Sequence, residues 1–362
     1  MNEIDFLSTV LFYVEDGYPL PVAFSKAKST KRVKSNYDDL YEISRKLVLS
    51  YFSLNGKTRR KKVKEFLSMD GVNVGLPAWM ERELNTLIDI EKYKKSLVNG
   101  KAQWFRVNRI LADEDKILKS LEMKGLEFAR DPDFPYIYRS LSKDVSKTEE
   151  FQNFKIIIQD KASVAVVEAL KPKEYEKIYE MASSPGLKSQ LIYEKTEGKV
   201  ELFLAEIDRR RLDKEVDLLK KFGVDFKNVH FVNQDSRYGS IRYADAVLID
   251  APCSTSGVIS IDPSILLSLR NKSKVKQYSR VQQSLLEDLF SIKFKRAVYS
   301  VCSIFPEEAE MLLDKLKDML LPTDIPGSKG YTSFESGRLG VRYFNFVHKT
   351  EDFFIGKLKG NE

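Results

Sequence analysis

The chain has 362 residues, a hydrophobic fraction of 43% and a formal net charge of +7, from 60 lysines and arginines against 53 aspartates and glutamates. This length predicts two or three domains with sizeable cores. Two cysteines and two histidines are too few for a disulfide framework, a cysteine-based zinc site or a histidine-rich metal centre. The sequence therefore predicts no metal site.

Membrane and export signals are not apparent in the sequence. No stretch approaches the roughly 18 uncharged apolar residues of a membrane span, and the first 20 residues are acidic and lack a basic leader. These features predict a cytoplasmic protein that does not cross a membrane. The cationic excess suits a polyanion partner, although a mildly basic surface explains the charge equally well.

Residues 1–95 are predicted to form a helical N-terminal domain. Within residues 37–54, apolar side chains recur at helical spacing. Two clusters of lysine and arginine flank this helix. Such clusters are more often solvated helix faces than binding sites, but their concentration in one small domain predicts an RNA-binding face. The two clusters that flank the helix are Lys31, Arg32 and Lys34, and Lys57, Arg59, Arg60, Lys61 and Lys62.

Residues 96–150 are predicted to form a small α+β module similar to RNA-recognition domains. Residues 104–110 alternate as in a strand, residues 113–126 have helical periodicity, and a proline-containing extended segment follows. Trp104, Phe105 and Arg106 could stack on bases. The apolar face of a strand is the preferred interpretation of the two aromatic residues.

Residues 151–362 are predicted to form an α/β domain with a doubly wound, Rossmann-like sheet, because candidate strands alternate with helical stretches. Sheets of this class bind ligands beyond the carboxyl ends of their strands. The candidate strands are residues 175–182, 200–207, 229–235, 246–252 and 297–303, and the clearest helices are residues 208–223 and 281–290.

The ends of the first three strands predict a nucleoside pocket. A turn of small residues allows close approach of a ligand, and acids at the ends of the second and third strands are placed to bind ribose and adenine. The absence of a full glycine fingerprint favours S-adenosylmethionine over a dinucleotide. The candidate residues are the turn Ala182, Ser183, Ser184, Pro185, Gly186, Leu187 and Lys188, followed by Glu206 and Asp235.

The two cysteines of the chain lie at the ends of the fourth and fifth strands, one at each. One cysteine so placed would be a buried small hydrophobe, but Cys253 and Cys302 together favour function. A thiolate that adds to carbon 6 of cytosine makes carbon 5 nucleophilic towards a methyl donor. Asp250 is suited to hydrogen bonding at N3 of the base, and Lys188 is expected to favour ionisation of a cysteine.

With these residues in place, the chain resembles the Sun family of RNA cytosine-5 methyltransferases over residues 96–358. Residues 248–257 (LIDAPCSTSG) and 299–310 (YSVCSIFPEEAE) look like its two signature motifs. Residues 156–163 and 342–358 resemble its entry and closing segments. The run at residues 159–163 is similar to the branch that modifies large-subunit ribosomal RNA.

The resemblance implies S-adenosylmethionine as cofactor and assigns roles by position. Cys302 matches the nucleophile, Cys253 the cysteine that releases the product, and Asp250 the acid near base and methyl donor. Lys188 matches the lysine that closes the cofactor loop. Cofactor contacts are implied for Glu206, Arg211 and Asp235, besides the loop and Asp250.

The sequence departs from the family pattern in the cofactor loop, and several functions stay open. Leu187 stands where the family has glycine, and Glu180 where it has aspartate. We expect a monomeric enzyme acting on ribosomal RNA in preference to transfer RNA. The alternatives are a transfer-RNA methyltransferase, a non-catalytic RNA-binding or ribosome assembly factor, and a DNA cytosine-5 methyltransferase. The last would use Cys253 as nucleophile and would leave Cys302 without a role.

Overall fold

A computed structural model describes residues 3–31, 33, 35–142 and 144–361. Arg32 and Lys34 of the first basic cluster lie outside the described residues. The chain divides into two compact units, and the division differs from the predicted boundaries because segments late in the sequence join the N-terminal helices. The first unit is Met1–Lys101, Ser254–Gln277 and Asn345–Val347, and the second is Ala102–Cys253, Tyr278–Phe344 and His348–Glu362.

The N-terminal part of the first unit is helical. Asn36 begins the third helix by accepting a hydrogen bond from the Asp38 amide at 2.9 Å, which satisfies an amide that has no partner within the helix. Leu40 and Leu47 of the predicted periodic segment are fully buried. The helices are α1 (Glu3–Glu15), α2 (Leu20–Thr30), α3 (Tyr37–Leu49), α4 (Arg59–Leu67), α5 (Ala78–Leu84) and α6 (Ile90–Asn99).

The second unit begins with a small antiparallel sheet whose strands, from one edge to the other, are β2 (Phe128–Arg130), β3 (Ile137–Ser140), β1 (Trp104–Val107) and β4 (Ile156–Ile158). Trp104, Phe105 and Arg106 are buried within this unit, so the possibility that they stack on bases is wrong. Phe105 instead packs on Tyr138, with ring centroids 5.5 Å apart. The helices that accompany this sheet are α7 (Glu114–Met123) and α8 (Glu149–Gln152).

The remaining strands form one large sheet. From residue 161 onward the helices and strands are, in chain order, α9 (Lys161–Leu170), β5 (Lys177–Glu180), α10 (Leu187–Lys195), β6 (Glu201–Glu206), α11 (Arg209–Lys221), β7 (Val229–Asn233), β8 (Tyr243–Asp250), α12 (Ile265–Ser268), α13 (Ser273–Leu289), β9 (Lys293–Val301), α14 (Glu310–Leu313), β10 (Leu320–Leu321), β11 (Ser328–Lys329), α15 (Glu335–Leu339), β12 (Val341–Tyr343), α16 (Asn345–His348) and β13 (Phe353–Lys359). Of these, α12, residues 273–277 of α13 and residues 345–347 of α16 belong to the first unit.

The order of the large sheet is that of a doubly wound fold. The chain enters at β5, passes outward through β6 to β7, and then returns to add β8 and β9 on the other side of β5. All four of these pairings are parallel, whereas β13, β12 and β11 continue the sheet antiparallel beyond β9. The predicted fold class is confirmed, and the direction of winding switches between β5 and β8, where such sheets bind ligands.

The core of the sheet is apolar on both faces. Val247, Leu248 and Ile249 of β8 are fully buried, which explains why this strand is a continuous apolar run rather than an alternating one. Among the described residues, no helix combines the length and the apolar character that a membrane crossing requires.

Candidate active site

The turn after β5 is built around a glycine. Gly186 has a φ of +92°, and a Cβ atom there would lie 2.9 Å from Cγ of Glu215. Only glycine combines this backbone conformation with so close an approach. The preceding hydroxyls of Ser183 and Ser184 each donate to Oε2 of Glu215 at 2.8 Å. The loop is therefore anchored to α11 by side chains as well as by its backbone.

Glu215 is a site residue that sequence reasoning missed. It lies on the buried face of α11 between Leu212 and Leu219, so a charged residue in an apolar helical stripe was the available signal. Burial raises the pKa of Glu215 to about 7, against hydrogen bonds from the two serines that lower it. Burial, and then the charge of Glu215, raise the pKa of Glu180 to about 8. Two carboxyl groups with raised pKa values thus lie beside the loop.

Glu206 ends β6 with an unused acceptor. Its Oε1 accepts from the Asp208 amide at 3.0 Å. Its Oε2 is buried, lies 3.3 Å from Nη1 of Arg211 and receives no hydrogen bond from the described residues. Arg211 also donates to the Ser184 carbonyl at 2.9 Å, which joins the loop to this acid. A buried carboxylate oxygen without a donor fits a ribose hydroxyl, since buried acceptors are ordinarily satisfied.

Asp235 follows β7, the neighbour of β6. Its carboxylate accepts two kinds of hydrogen bond from Arg237, one from the amide at 3.0 Å and others from the guanidinium at 2.6–3.0 Å. The hydrogen bonds from Arg237 lower the pKa of Asp235. Asp235 therefore lies just beyond the end of β7, as expected. Its carboxylate favours the ionised form and is already paired with Arg237.

Lys188 and Asp250 join the loop to the end of β8. The Lys188 ammonium lies 2.6 Å from Oδ2 of Asp250, and the Ser300 hydroxyl donates to Oδ1 at 2.8 Å. Lys188 was expected to favour ionisation of a cysteine, but its direct partner is this carboxylate. The arrangement fixes the orientation of Asp250 from both sides.

The two thiols lie together at the ends of β8 and β9. Their Sγ atoms are 2.6 Å apart, and the Cys253 thiol also donates to the Cys302 carbonyl at 3.4 Å. The hydrogen bond with Cys253, followed by burial and nearby negative charge, raises the pKa of Cys302 well above its ordinary value. Cys302 is a thiol in this state, so its proton must be removed before it can attack.

Buried charged residues fix the turn that carries Cys302. Arg342 and Glu310 are fully buried and pair at 2.6 Å, and Arg342 donates to the Ser303 carbonyl at 2.7 Å. The Ser303 hydroxyl in turn donates to Glu308. Both glutamates belong to the 299–310 motif, which explains why its acids follow the cysteine at short spacing.

This geometry defines a methyltransferase-type sheet that carries two contacting thiols beside a glycine turn and two acids at strand ends. A family model for 16S rRNA methyltransferase RsmB/F matches residues 167–359, just over half of the chain. The chain belongs to this family, and its resemblance to the Sun family is confirmed.

Two curated relatives and a solved structure show the extent of the likeness. The mouse 28S rRNA (cytosine-C(5))-methyltransferase is 30% identical over 239 residues, 60% of this chain and 30% of the relative. Ribosomal RNA small subunit methyltransferase B of Photorhabdus laumondii is 29% identical over 214 residues, 57% and 48% of the two chains. The chain thus matches half or less of these relatives. The crystal structure of PH0851 superposes on this chain with a TM-score of 0.80 over 99% of both chains, at 20% identity. At this identity the match shows a shared fold.

Proposed function

We propose that this chain is an S-adenosylmethionine-dependent RNA cytosine-5 methyltransferase that acts on ribosomal RNA through a covalent bond to Cys302. The observation that carries the proposal is the placement of Cys302 and Cys253, in contact at the ends of adjacent parallel strands and beside Asp250. The family and the names of both curated relatives support ribosomal RNA as the substrate. Action as a cytoplasmic monomer stays a prediction.

The residues after β5, β6 and β7 fit the methyl donor. The unsatisfied oxygen of Glu206 suits a ribose hydroxyl. We assign the cofactor to the loop 182–188 with Glu206, Arg211, Asp235 and Asp250. When bound, S-adenosylmethionine supplies an electrophilic methyl group.

The remaining steps belong to side chains of the second unit. As Cys302 loses its proton, its sulfur forms a bond to carbon 6 of cytosine, and electron density moves to carbon 5. As this bond forms, the proton from Cys302 passes to N3, and the Asp250 carboxylate, held by Lys188 and Ser300, is placed to accept the hydrogen bond that the protonated N3 then donates. After methylation, carbon 5 gives up its proton to solvent, the electron pair restores the double bond to carbon 6, and the bond between carbon 6 and sulfur breaks to return the sulfur of Cys302. We assign assistance of this release to Cys253.

The direct test is methyl transfer to purified RNA. Wild-type protein with radiolabelled S-adenosylmethionine should label ribosomal RNA more than transfer RNA, and bisulfite sequencing should locate a new 5-methylcytosine. Labelling of transfer RNA alone would identify transfer RNA, rather than ribosomal RNA, as the substrate. Cofactor and RNA binding without any labelling would favour the non-catalytic assembly factor.

Replacing Cys253 by alanine should trap RNA on Cys302. If Cys253 assists release, its loss leaves the thioether in place, and a denaturing gel should show a slow band that ribonuclease removes. Because Cys253 is the main cause of the raised pKa of Cys302, the band should also form at lower pH than wild-type turnover requires. The double variant Cys253→Ala/Cys302→Ala is the control and should give no band. Full activity without a band would make Cys253 structural.

Replacing Glu206 by glutamine should weaken cofactor binding. A hydrogen bond to a charged acceptor contributes roughly 1.5–3 kcal/mol, so calorimetry should show about a tenfold or larger rise in the Kd for S-adenosylmethionine. Asp213→Asn is a matched control, since Asp213 is exposed on α11 and pairs with Arg209 on the surface of that helix. An unchanged Kd in Glu206→Gln would place the ribose contact elsewhere.

A further inference from the structure

The helical unit contains two large cavities that share a wall. The first, about 810 Å³, lies along the end of α1 and the segment 255–274. The second, about 760 Å³, lies along α1 and the start of α4. Glu15 and Tyr51 line both. Each cavity has the size that a drug-sized molecule, and hence a nucleotide, occupies. Together they form one surface, which we call the helical groove.

Cations exceed available carboxylates along the helical groove. Glu15 is paired with Arg59 at 2.5 Å and Asp5 with Arg60 at 2.6 Å, so these acids are neutralised inside the unit. Asp262 accepts hydrogen bonds from the Leu20 amide and from Ser264 but has no cation partner among the described residues. The cations of the groove without a carboxylate partner in the same part of the chain are Lys31, Lys57, Lys62 and Arg270, against the two acids Asp16 and Asp262.

Aromatic rings lie among these charges. Tyr18 and Phe52 line the first cavity, Phe12 lines the second, and Tyr51 lines both. Phe12 is 44% exposed and carries the Arg59 guanidinium at 4.9 Å from its ring centroid. Cationic grooves interleaved with aromatic rings are typical of single-stranded nucleic-acid binding, because rings stack on bases while cations follow the phosphates.

We propose that the helical groove binds an unpaired RNA segment of the substrate, with a base against Phe52 in the first cavity and phosphates at Lys57 and Arg270. This inference rests on the proposed function for its choice of RNA. Closeness along the chain supports the choice of RNA. The wall of the first cavity includes Thr255, the second residue after Cys253 in the 248–257 motif.

The groove also changes the earlier prediction of a basic RNA-binding face. Arg59 and Arg60 are already paired, and Lys62 donates to the Leu54 carbonyl at 2.7 Å, so replacing that cluster by alanine would disturb the fold.

The test compares variants of the full chain by fluorescence anisotropy with a labelled ten-nucleotide single-stranded RNA. Lys57→Ala/Arg270→Ala should bind about tenfold more weakly at 0.15 M salt, and its plot of log affinity against log salt should be shallower by about 1.4, or roughly 0.7 for each lost phosphate contact. Lys64→Ala/Lys95→Ala is the matched control. Both lysines are exposed, on α4 and α6, line neither cavity and should leave binding unchanged.

Base stacking has its own readout. Wild-type protein should bind an abasic oligonucleotide of equal length about fivefold more weakly than the RNA, whereas Phe52→Leu should bind the two alike. Thermal unfolding and the Kd for S-adenosylmethionine should match wild type in every variant. Equal losses of RNA affinity in the Lys64/Lys95 control would overturn the inference. So would displacement of RNA by polyglutamate at equal charge, or RNA binding as tight as wild type in the groove variants. If the groove variants lose RNA affinity while wild-type protein methylates no RNA, the groove proposal stands and the methyltransferase proposal fails.

Discussion

The Cys302→Ala variant should transfer no measurable methyl group to RNA while binding S-adenosylmethionine nearly as wild type does. Loss of a sole nucleophile costs roughly a thousandfold or more, because the covalent route has no substitute. The cofactor contacts assigned after β5, β6 and β7 do not involve this thiol. The measurement is single-turnover methylation of ribosomal RNA with radiolabelled cofactor, together with calorimetry of cofactor binding.

The neighbouring cysteine provides the control for this variant. Cys253→Ala keeps the Cys302 thiol and should still attack RNA, which separates loss of the nucleophile from disturbance of the turn. Substantial turnover by Cys302→Ala would make Cys253 the nucleophile, as in the DNA methyltransferase alternative. Loss of cofactor binding in the same variant would instead show that the β9 turn shapes the cofactor pocket.

Arg342→Met should be among the most destabilising single substitutions in the chain. It leaves Glu310 without its cation in a fully buried position, and breaking a buried pair in this way costs about 3–5 kcal/mol. Urea unfolding should show the loss directly. Arg338→Met is the control, since Arg338 is exposed and its guanidinium donates to the Thr332 carbonyl rather than to a buried carboxylate. We expect its effect to stay within about 1 kcal/mol.

A double variant separates stability from positioning. Arg342→Met/Glu310→Met removes both charges and should recover most of the lost stability, because apolar replacement of a buried pair is often neutral. It cannot restore the hydrogen bond from Arg342 to the Ser303 carbonyl. We therefore expect kcat to stay low while the KM for RNA is unchanged. Full recovery of kcat with stability would reduce Arg342 to a purely structural residue.

The sequence contained enough to predict the parallel sheet and the position of its reactive residues. Alternating strands and helices indicate a doubly wound order, and that order places the turns after β8 and β9 side by side. The proximity of Cys253 and Cys302 was therefore a consequence of topology. The roles given to the individual cofactor residues stay predictions, since they depend on a ligand.

Contacts that depend on side-chain burial could not be predicted. Arg106 resembled a base-binding residue in a strand, yet it is fully buried, pairs with Glu194 at 3.1 Å and donates to Gln159 at 2.7 Å. Local periodicity gives no partner for such a charge. The same applies to residues 254–277, whose grouping with helices more than 150 residues earlier in the sequence depends on long-range packing rather than on local pattern.

The pairing of β8 with β9 has a consequence for insertions and deletions. Asp250 lies opposite Ser300 in this ladder, and each cysteine follows within three residues. One added residue in either turn would shift a sulfur by up to about 3.3 Å, more than the 2.6 Å that now separates the two sulfur atoms. Changes in length should therefore be tolerated poorly at residues 251–253 and 301–302. By this criterion, genuine relatives can be recognised by constant spacing from strand to cysteine, even where the surrounding residues differ.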